Sequence, residues 1–526
     1  MLPALDVDGL ALFFSLVLEP DALDTAPHPG PNVREPKMMI SRRILFCLCL
    51  GILLGSSSGA SAQLRLFRRS GSRIDPAHER AKTEADQAYQ RGDYQRAVKL
   101  ATSVLRANPR DSVAYYLRAS SQAEIGLLNG DSKLIRAGIS DARNAIRYDT
   151  TGNSLYYIPY LYGMTILARV ENRKEHAEVA VQIAGTALKL PGNTPEKQSN
   201  ILYQRALSRI YLRQFDPAIA DFQQAIKLVP KHLGSYLGLA NAYVAAGRSQ
   251  QARTAYNTAV RVFPDDALVH NDRGMFLKSL GRNADAITDF TRALEIDPKY
   301  HYAYTNRGFL LMETGHPQAA ENDYTASLKI DPRQPTVYTM RASARLAQGH
   351  IKSALEDQLQ AVQLAPNDPT TYADLGFARF FASQYAEAGT AFDRALKLSP
   401  GMGHLLPWRM AVLLLSGDSQ QEMDRFRESL PAKSKPTAWG GHLLDYLLGK
   451  ATEAQLLAAV TNKDTDVRKA QLCEAHYFAG LKQRKEGKPQ QADAHFQKAL
   501  ETGMRHLSAY RGAQFALKKF TTVDKK

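Results

Sequence analysis

One period governs this chain. Prolines stand at Pro230, Pro264, Pro298, Pro332, Pro366 and Pro400, five successive intervals of 34 residues. The alanine twelve residues before each keeps that spacing: Ala218, Ala252, Ala286, Ala320, Ala354 and Ala388. Four residues after the alanine stands an aromatic in Phe222, Tyr256, Phe290, Tyr324 and Phe392, with Gln358 the exception. A chain of 526 residues is too long for one ordinary core. A fixed period of this size makes it an array of one supersecondary unit, whose stacked neighbours bury a continuous core.

The unit reads as two helices. Within Ala267–Tyr300, Asp272 to Leu280 is helix-forming and Gly281 breaks it; Asn283 to Ile296 forms a second helix, which Pro298 prevents from continuing. Gly274, Gly308, Gly376 and Ala286 let helix backbones approach closely, and the aromatics are expected to fill the space between neighbouring pairs. The seventh position of the six units reads Arg205, Leu239, Arg273, Arg307, Arg341 and Leu375. The twenty-third reads Asp221, Ala255, Asp289, Asp323, Asp357 and Ala391. Arg and Asp occur together or are replaced together, so four ion pairs inside units are predicted, bidentate where geometry permits: Arg205–Asp221, Arg273–Asp289, Arg307–Asp323 and Arg341–Asp357.

These residues resemble the tetratricopeptide repeat family, whose pattern places Leu, Gly, aromatic, Ala and Pro at these spacings. The resemblance implies an all-α fold, a right-handed α-solenoid of stacked antiparallel helix pairs. Six regular units cover 199–400. Residues 78–198 hold earlier units, a good copy at His78–Asp111 and two carrying insertions. Residues 401–472 are helical in composition but off-register, and 473–526 read as a late unit with a capping helix. The run "WGGHLLDYLLGKATEAQLLAAV" with that late unit is similar to the C-terminal parts of bacterial envelope repeat proteins, including adaptors of peptidoglycan hydrolases. Those adaptors are often lipoproteins, and this chain lacks the lipidated Cys.

From Met38 the chain reads "MMISRRILFCLCLGILLGSSSGASAQL". Arg42 and Arg43 precede an apolar run from Ile44 to Leu54, and Ala60-Ser61-Ala62 is an A-x-A cleavage signal: the layout of a secretory signal peptide over 38–62. Residues 1–37 then read as a mis-assigned upstream start and 63–77 as a linker. The expectation is an exported protein, in the bacterial periplasm, with no stable membrane span after cleavage; the alternative is an uncleaved N-terminal anchor. Cys47 and Cys49 lie in the signal, leaving Cys473 alone and no disulfide framework. A net charge of +15 favours anionic partners. In an envelope these are lipid or wall polymers on the outer face rather than nucleic acid.

Catalytic motifs do not accumulate. Gly55-Ser56-Ser57-Ser58-Gly59 matches G-x-S-x-G inside the signal, without strand or helix around it. "GMGHLL" lacks the third glycine of a dinucleotide fingerprint. No two of the thirteen histidines stand four apart. His270 occupies a packing position, and Cys473 reads as a small buried apolar residue. No catalytic residue, metal or cofactor is expected; the alternative is an enzyme whose site lies in 401–472, around His404 or His442.

The resemblance implies that each first helix lines a concave groove through its positions 2, 5, 6, 9, 12 and 13. Of those 36 positions only Asp272, Lys278, Glu313 and Asp374 are charged. Phe309, Met312, Met340, Leu346, Phe377, Phe380 and Phe381 would gather into an exposed apolar patch, and Asn306 would hydrogen-bond a bound peptide backbone. The expected function is a non-catalytic adaptor of the cell envelope, holding a protein segment, peptide or helix, in that groove. The competing expectation is that 401–470 folds back over the patch.

Overall fold

The structure, a computed structural model, describes residues 76–523 apart from 419, 429–436 and 506. The expected upstream start, the signal peptide and all but the end of the linker lie outside the described residues. Those residues contain 25 α-helices and no strand, packed as adjacent antiparallel pairs: the all-α solenoid that the period demands. They fall into two units, residues 76–298 and 299–523.

The first unit pairs α1 (Pro76–Gln90) with α2 (Tyr94–Ala107), α3 (Ser112–Leu128) with α4 (Ser132–Tyr148), and α5 (Tyr157–Val170) with α6 (Lys174–Ala187). It continues with α7 (Pro195–Tyr211) and α8 (Phe215–Leu228), α9 (Leu233–Ala245) and α10 (Ser249–Val262), and α11 (Ala267–Ser279) and α12 (Asn283–Ile296). Helix α11 begins five residues earlier than the sequence reading, because the Asp266 side chain accepts the amides of Leu268 and Val269 and caps it there. The turn at Gly281 has φ 72°, a left-handed conformation that glycine adopts without cost.

The second unit opens with the same pairs, α13 (His301–Glu313) with α14 (Pro317–Ile330), α15 (Pro335–Ala347) with α16 (Ile351–Leu364), and α17 (Pro369–Phe381) with α18 (Tyr385–Leu398). The off-register region follows as four shorter helices, α19 (Leu406–Ser416), α20 (Gln420–Glu428), α21 (Ala438–Leu447) and α22 (Glu453–Ala458). A long α23 (Thr465–Lys485) then pairs with α24 (Pro489–Glu501), and α25 (Ser508–Val523) ends the described chain.

The small residues and aromatics work together, in two ways. A Cβ on Gly274 would stand 2.8 Å from the Phe290 ring, one on Gly308 2.9 Å from Tyr324 and one on Gly376 2.5 Å from Phe392. These rings lie on the backbone of their own pair, not only between pairs as the sequence suggested. Phe222 does lie between pairs, against Gly238 of the next first helix, and Tyr256 stacks on Phe276 at 5.0 Å. Gly480 and Phe496 repeat the within-pair contact at 2.5 Å, which sets the register of the late unit. Each fully buried ring contributes about 1.5–3 kcal/mol relative to exposure.

Candidate functional site

All eight residues expected to line the apolar groove lie in the second unit. Asn306, Phe309 and Met312 stand on α13, Met340 and Leu346 on α15, and Phe377, Phe380 and Phe381 on α17. The exposed patch expected of them is not there. Phe309 and Met312 are half-buried and pack with Met340 around Tyr324, Leu328 and Val337. Leu346, Phe380 and Phe381 are buried in one core with Trp408, Tyr477 and Phe478, and Phe377 packs against it. Asn306 is buried as well.

The physical reason is a wedge and a lid from the same unit. The Trp408 indole meets Phe377 edge-on at 5.0 Å, Phe380 at 5.4 Å and Phe381 at 6.3 Å. Phe515 of α25 then stacks on Phe381 at 5.2 Å. The covering thus comes partly from 401–472 and partly from the C-terminal helix. That helix seats closely: a Cβ on Gly512 would fall 2.4 Å from the Tyr477 ring, and Ala509 and Ala513 are buried. Arg511, one turn from Phe515, brings its charge to Asp374. Burial outweighs that attraction on both sides, pushing Asp374 up to about 7 and the guanidinium down.

The first unit presents first-helix faces of another kind. Asp272 on α11 is half-buried, and burial raises its pKa to about 7 against the hydrogen bond from Asn271 Nδ2 at 3.3 Å. Beside it the Tyr256 hydroxyl donates to Asn241 Oδ1 at 2.6 Å. Met275 on the same face is half-buried, and Gln204 of α7 is buried.

At the other end of this unit, α1, α3 and α5 bring together groups that the sequence reading passed over. Glu124 of α3 is 7% exposed and accepts the Tyr162 hydroxyl of α5 at 3.2 Å. Burial raises its pKa to about 7. Its charge reaches the Tyr89 and Tyr94 phenols, whose rings stand 5.5 Å apart, and Asp86 reaches Tyr89 and Tyr116. The signal was available: carried back into 78–198, the groove positions that name Asp272 also name Asp86, Tyr89, Tyr116 and Glu124.

The structure brings each Arg to its Asp. Nε and Nη2 of Arg205, Arg273, Arg307 and Arg341 donate to the two carboxylate oxygens of Asp221, Asp289, Asp323 and Asp357 at 2.6–3.0 Å. Two acids receive a second guanidinium, Asp221 from Arg209 at 2.6 Å and Asp357 from Arg345 at 2.8 Å. A fifth fork, Arg118 to Asp141, joins α3 to α4 across the insertion that hid it from a fixed spacing. These pairs join the two helices within a unit.

His442 is exposed, with its ring 6.4 Å from that of Trp439, whose indole N–H donates to Glu474 at 2.7 Å. Burial raises the Cys473 thiol to about 12, far from a thiolate nucleophile at neutral pH. Among the described residues no three metal-ligating groups converge, and no helix is long and apolar enough to cross a membrane.

A tetratricopeptide repeat family model matches residues 82–130, 203–248 and 237–301; a second matches 290–322 and a third 335–368. Small glutamine-rich tetratricopeptide repeat-containing protein 2 of Mycosarcoma maydis is 36% identical over 90 residues, which is 17% of this chain and 24% of that protein. Among solved structures, a thermophilic tetratricopeptide repeat protein of Thermus thermophilus is 24% identical, covering 39% of this chain and 99% of its own, with a TM-score of 0.34. The pilF protein of Pseudomonas aeruginosa is 17% identical, covering 39% of this chain and 94% of its own, with a TM-score of 0.35.

Proposed function

The chain is a tetratricopeptide repeat protein, and from that premise we propose that it is a non-catalytic adaptor of the cell envelope, exported by the signal at 38–62 and holding a protein segment on the first-helix faces of residues 76–298. The repeats themselves support protein–protein interaction in general. The observation that carries the finer reading is the seat of α25. On α17 a first-helix face of this very chain accepts a helix, through an aromatic stack between Phe381 and Phe515 and a cation brought to Asp374. The corresponding faces of the first unit offer Asn241, Asp272 and Met275 half-buried. Groove burial of a peptide or helix needs that combination of partial exposure, apolar contact and polar groups.

Site-specific photocrosslinking in whole envelopes tests this. A benzoylphenylalanine in place of Met275 is expected to capture a defined partner segment, identified by mass. The same group in place of Leu359, exposed on second helix α16, is expected to capture none of it. Identical products from both positions would remove the groove from the reading. Export is tested separately, by sequencing the N-terminus of the protein from fractionated cells: a start at Gln63 supports it, and an intact segment upstream of Ala62 points to the anchored alternative.

A further inference from the structure

We infer that His476 and His495 form a two-histidine site for a divalent transition-metal ion, copper(II) foremost. This goes beyond the adaptor reading and stands apart from it. His476 lies on α23 and His495 on α24, the two helices of the late unit. Their Nδ1 atoms are 3.0 Å apart. The two helices hold that register firmly, because the ring of Phe496, next to His495, lies on Gly480, one turn past His476.

Protons decide what the two nitrogens can do. Nε2 of His495 stands 3.2 Å from Glu453 Oε2 of α22, and Gln483 Nε2 donates to the same oxygen at 3.3 Å. An ionised carboxylate only accepts, so neutral His495 keeps its proton on Nε2. Its Nδ1 is then a lone pair facing His476. Neutral His476 can carry its proton on either nitrogen. With the proton on Nδ1, His476 donates to His495, and the rings share an ordinary hydrogen bond. With the proton on Nε2, two lone pairs face each other, and a metal ion takes the place of the bridging proton. His495 then binds metal through one nitrogen and a carboxylate through the other, the arrangement that fixes the tautomer and raises the basicity of a histidine ligand.

The dimensions and surroundings agree. At the usual metal–nitrogen distance of about 2.0 Å, nitrogens 3.0 Å apart subtend close to a right angle, nearer to a tetragonal site than to a tetrahedral one. Copper(II) prefers that geometry and binds nitrogen ligands more tightly than the other divalent ions of its row. His495 is buried and His476 half-buried, so water can complete the coordination from the open side. Lys498, one turn from His495, is exposed, and solvent screens its repulsion. Glu453 lies behind His495 and acts through it rather than as a third ligand. A bound ion would tie α23 to α24 and, through Glu453, α22 to both.

The test is equilibrium dialysis of the full, untagged chain against micromolar copper(II), with electron spin echo spectroscopy to count the coordinated imidazoles. One ion per chain with two imidazoles is expected. His476→Ala and His495→Ala should each weaken binding at least tenfold and leave one imidazole. Glu453→Gln should weaken it several-fold with both imidazoles kept, while His442→Ala, exposed on α21, changes nothing. Helical circular dichroism checks the fold, and if His495→Ala disturbs it, His476→Gln on the half-buried side decides in its place. No retained copper, two imidazoles still counted after loss of His476, or equal loss of binding on His442→Ala would overturn the inference, the last two marking an adventitious ion only.

Discussion

Asp272 and Asp374 occupy the same position of the repeat, three units apart, and they have different fates. Both acids are half-buried, but on α17 the face is shared with α25, which brings Arg511 to the acid and lays Phe515 on Phe381. On α11 the same position stands beside Asn271 and Met275. The repeat fixes where a carboxylate stands; it does not fix whether that place is core or site. A non-repeating helix decides that, so the faces of one solenoid can be structural in one unit and available in the other.

The largest expected effect breaks the closed face. Phe381→Ala should cost about 3–5 kcal/mol, the usual range for emptying a buried aromatic site. Met275→Ala on the half-buried face should cost roughly 1 kcal/mol or less, because a side chain that keeps water contact loses little transfer energy. Urea unfolding separates the two units spectroscopically, since both tryptophans, Trp408 and Trp439, lie in residues 299–523. A shift in tryptophan fluorescence for Phe381→Ala, with equal cost for Met275→Ala, would mean that the two faces are equally closed.

A second comparison concerns the ion pairs. Asp323 is forked by Arg307, while Asp357 has both Arg341 and Arg345. Removing one partner of a buried pair costs about 3–5 kcal/mol, less where the guanidinium keeps water contact. Arg307→Ala should therefore cost roughly 2–4 kcal/mol, and Arg341→Ala less, since Arg345 stays on the acid. Equal midpoint shifts in urea would show that the second guanidinium adds nothing.

Asp272 and Asp374 then separate by pH. Each has a folded pKa of about 7, above the ordinary value of 3.8, so the folded state holds its proton longer than the unfolded chain. Stability therefore falls as pH rises from about 4 to about 7, by at most about 1.4 kcal/mol per pH unit for each acid and by less than that because both are half-buried. Asp272→Asn should leave stability at pH 4 unchanged and raise it at pH 8. Asp374→Asn should raise it less at pH 8, because the asparagine also gives up the attraction to Arg511. Equal gains would mean that Arg511 does not act on its acid.

Spacing made part of this legible. A 34-residue period predicts helix pairs, and joint replacement of Arg and Asp predicts contact, because both are local to one unit. The seat of α25 was out of reach, since Phe381 and Phe515 are joined by no period and no composition cue. The apolar patch failed for that reason: Phe377, Phe380 and Phe381 read as a surface only until a distant helix is placed on them. The Glu124–Tyr162 contact was missed differently. The lengthened α3 and α4 shift the register, so the Arg118–Asp141 spacing no longer matches the other pairs, and the groove positions were not carried back that far.

The smallest expected effect uses the turn between the two helices of a pair, which the units fill differently. Gly247, Gly281, Gly315 and Gly349 take positive φ there, and the equivalent residues Arg213 and Ser383 do so at φ 61°. A left-handed conformation costs a side-chain-bearing residue about 1–2 kcal/mol, while glycine forfeits about 0.5–1 kcal/mol of unfolded-chain entropy. Ser383→Gly should then stabilise the second unit by roughly 0.5–1 kcal/mol, and Arg213→Gly the first by a similar amount. The urea midpoint by tryptophan fluorescence should move for Ser383→Gly alone, and that by circular dichroism for both. A loss on either substitution would mean that the side chain holds its turn through contacts worth more than the strain, so that the non-glycine turns are built features rather than tolerated ones.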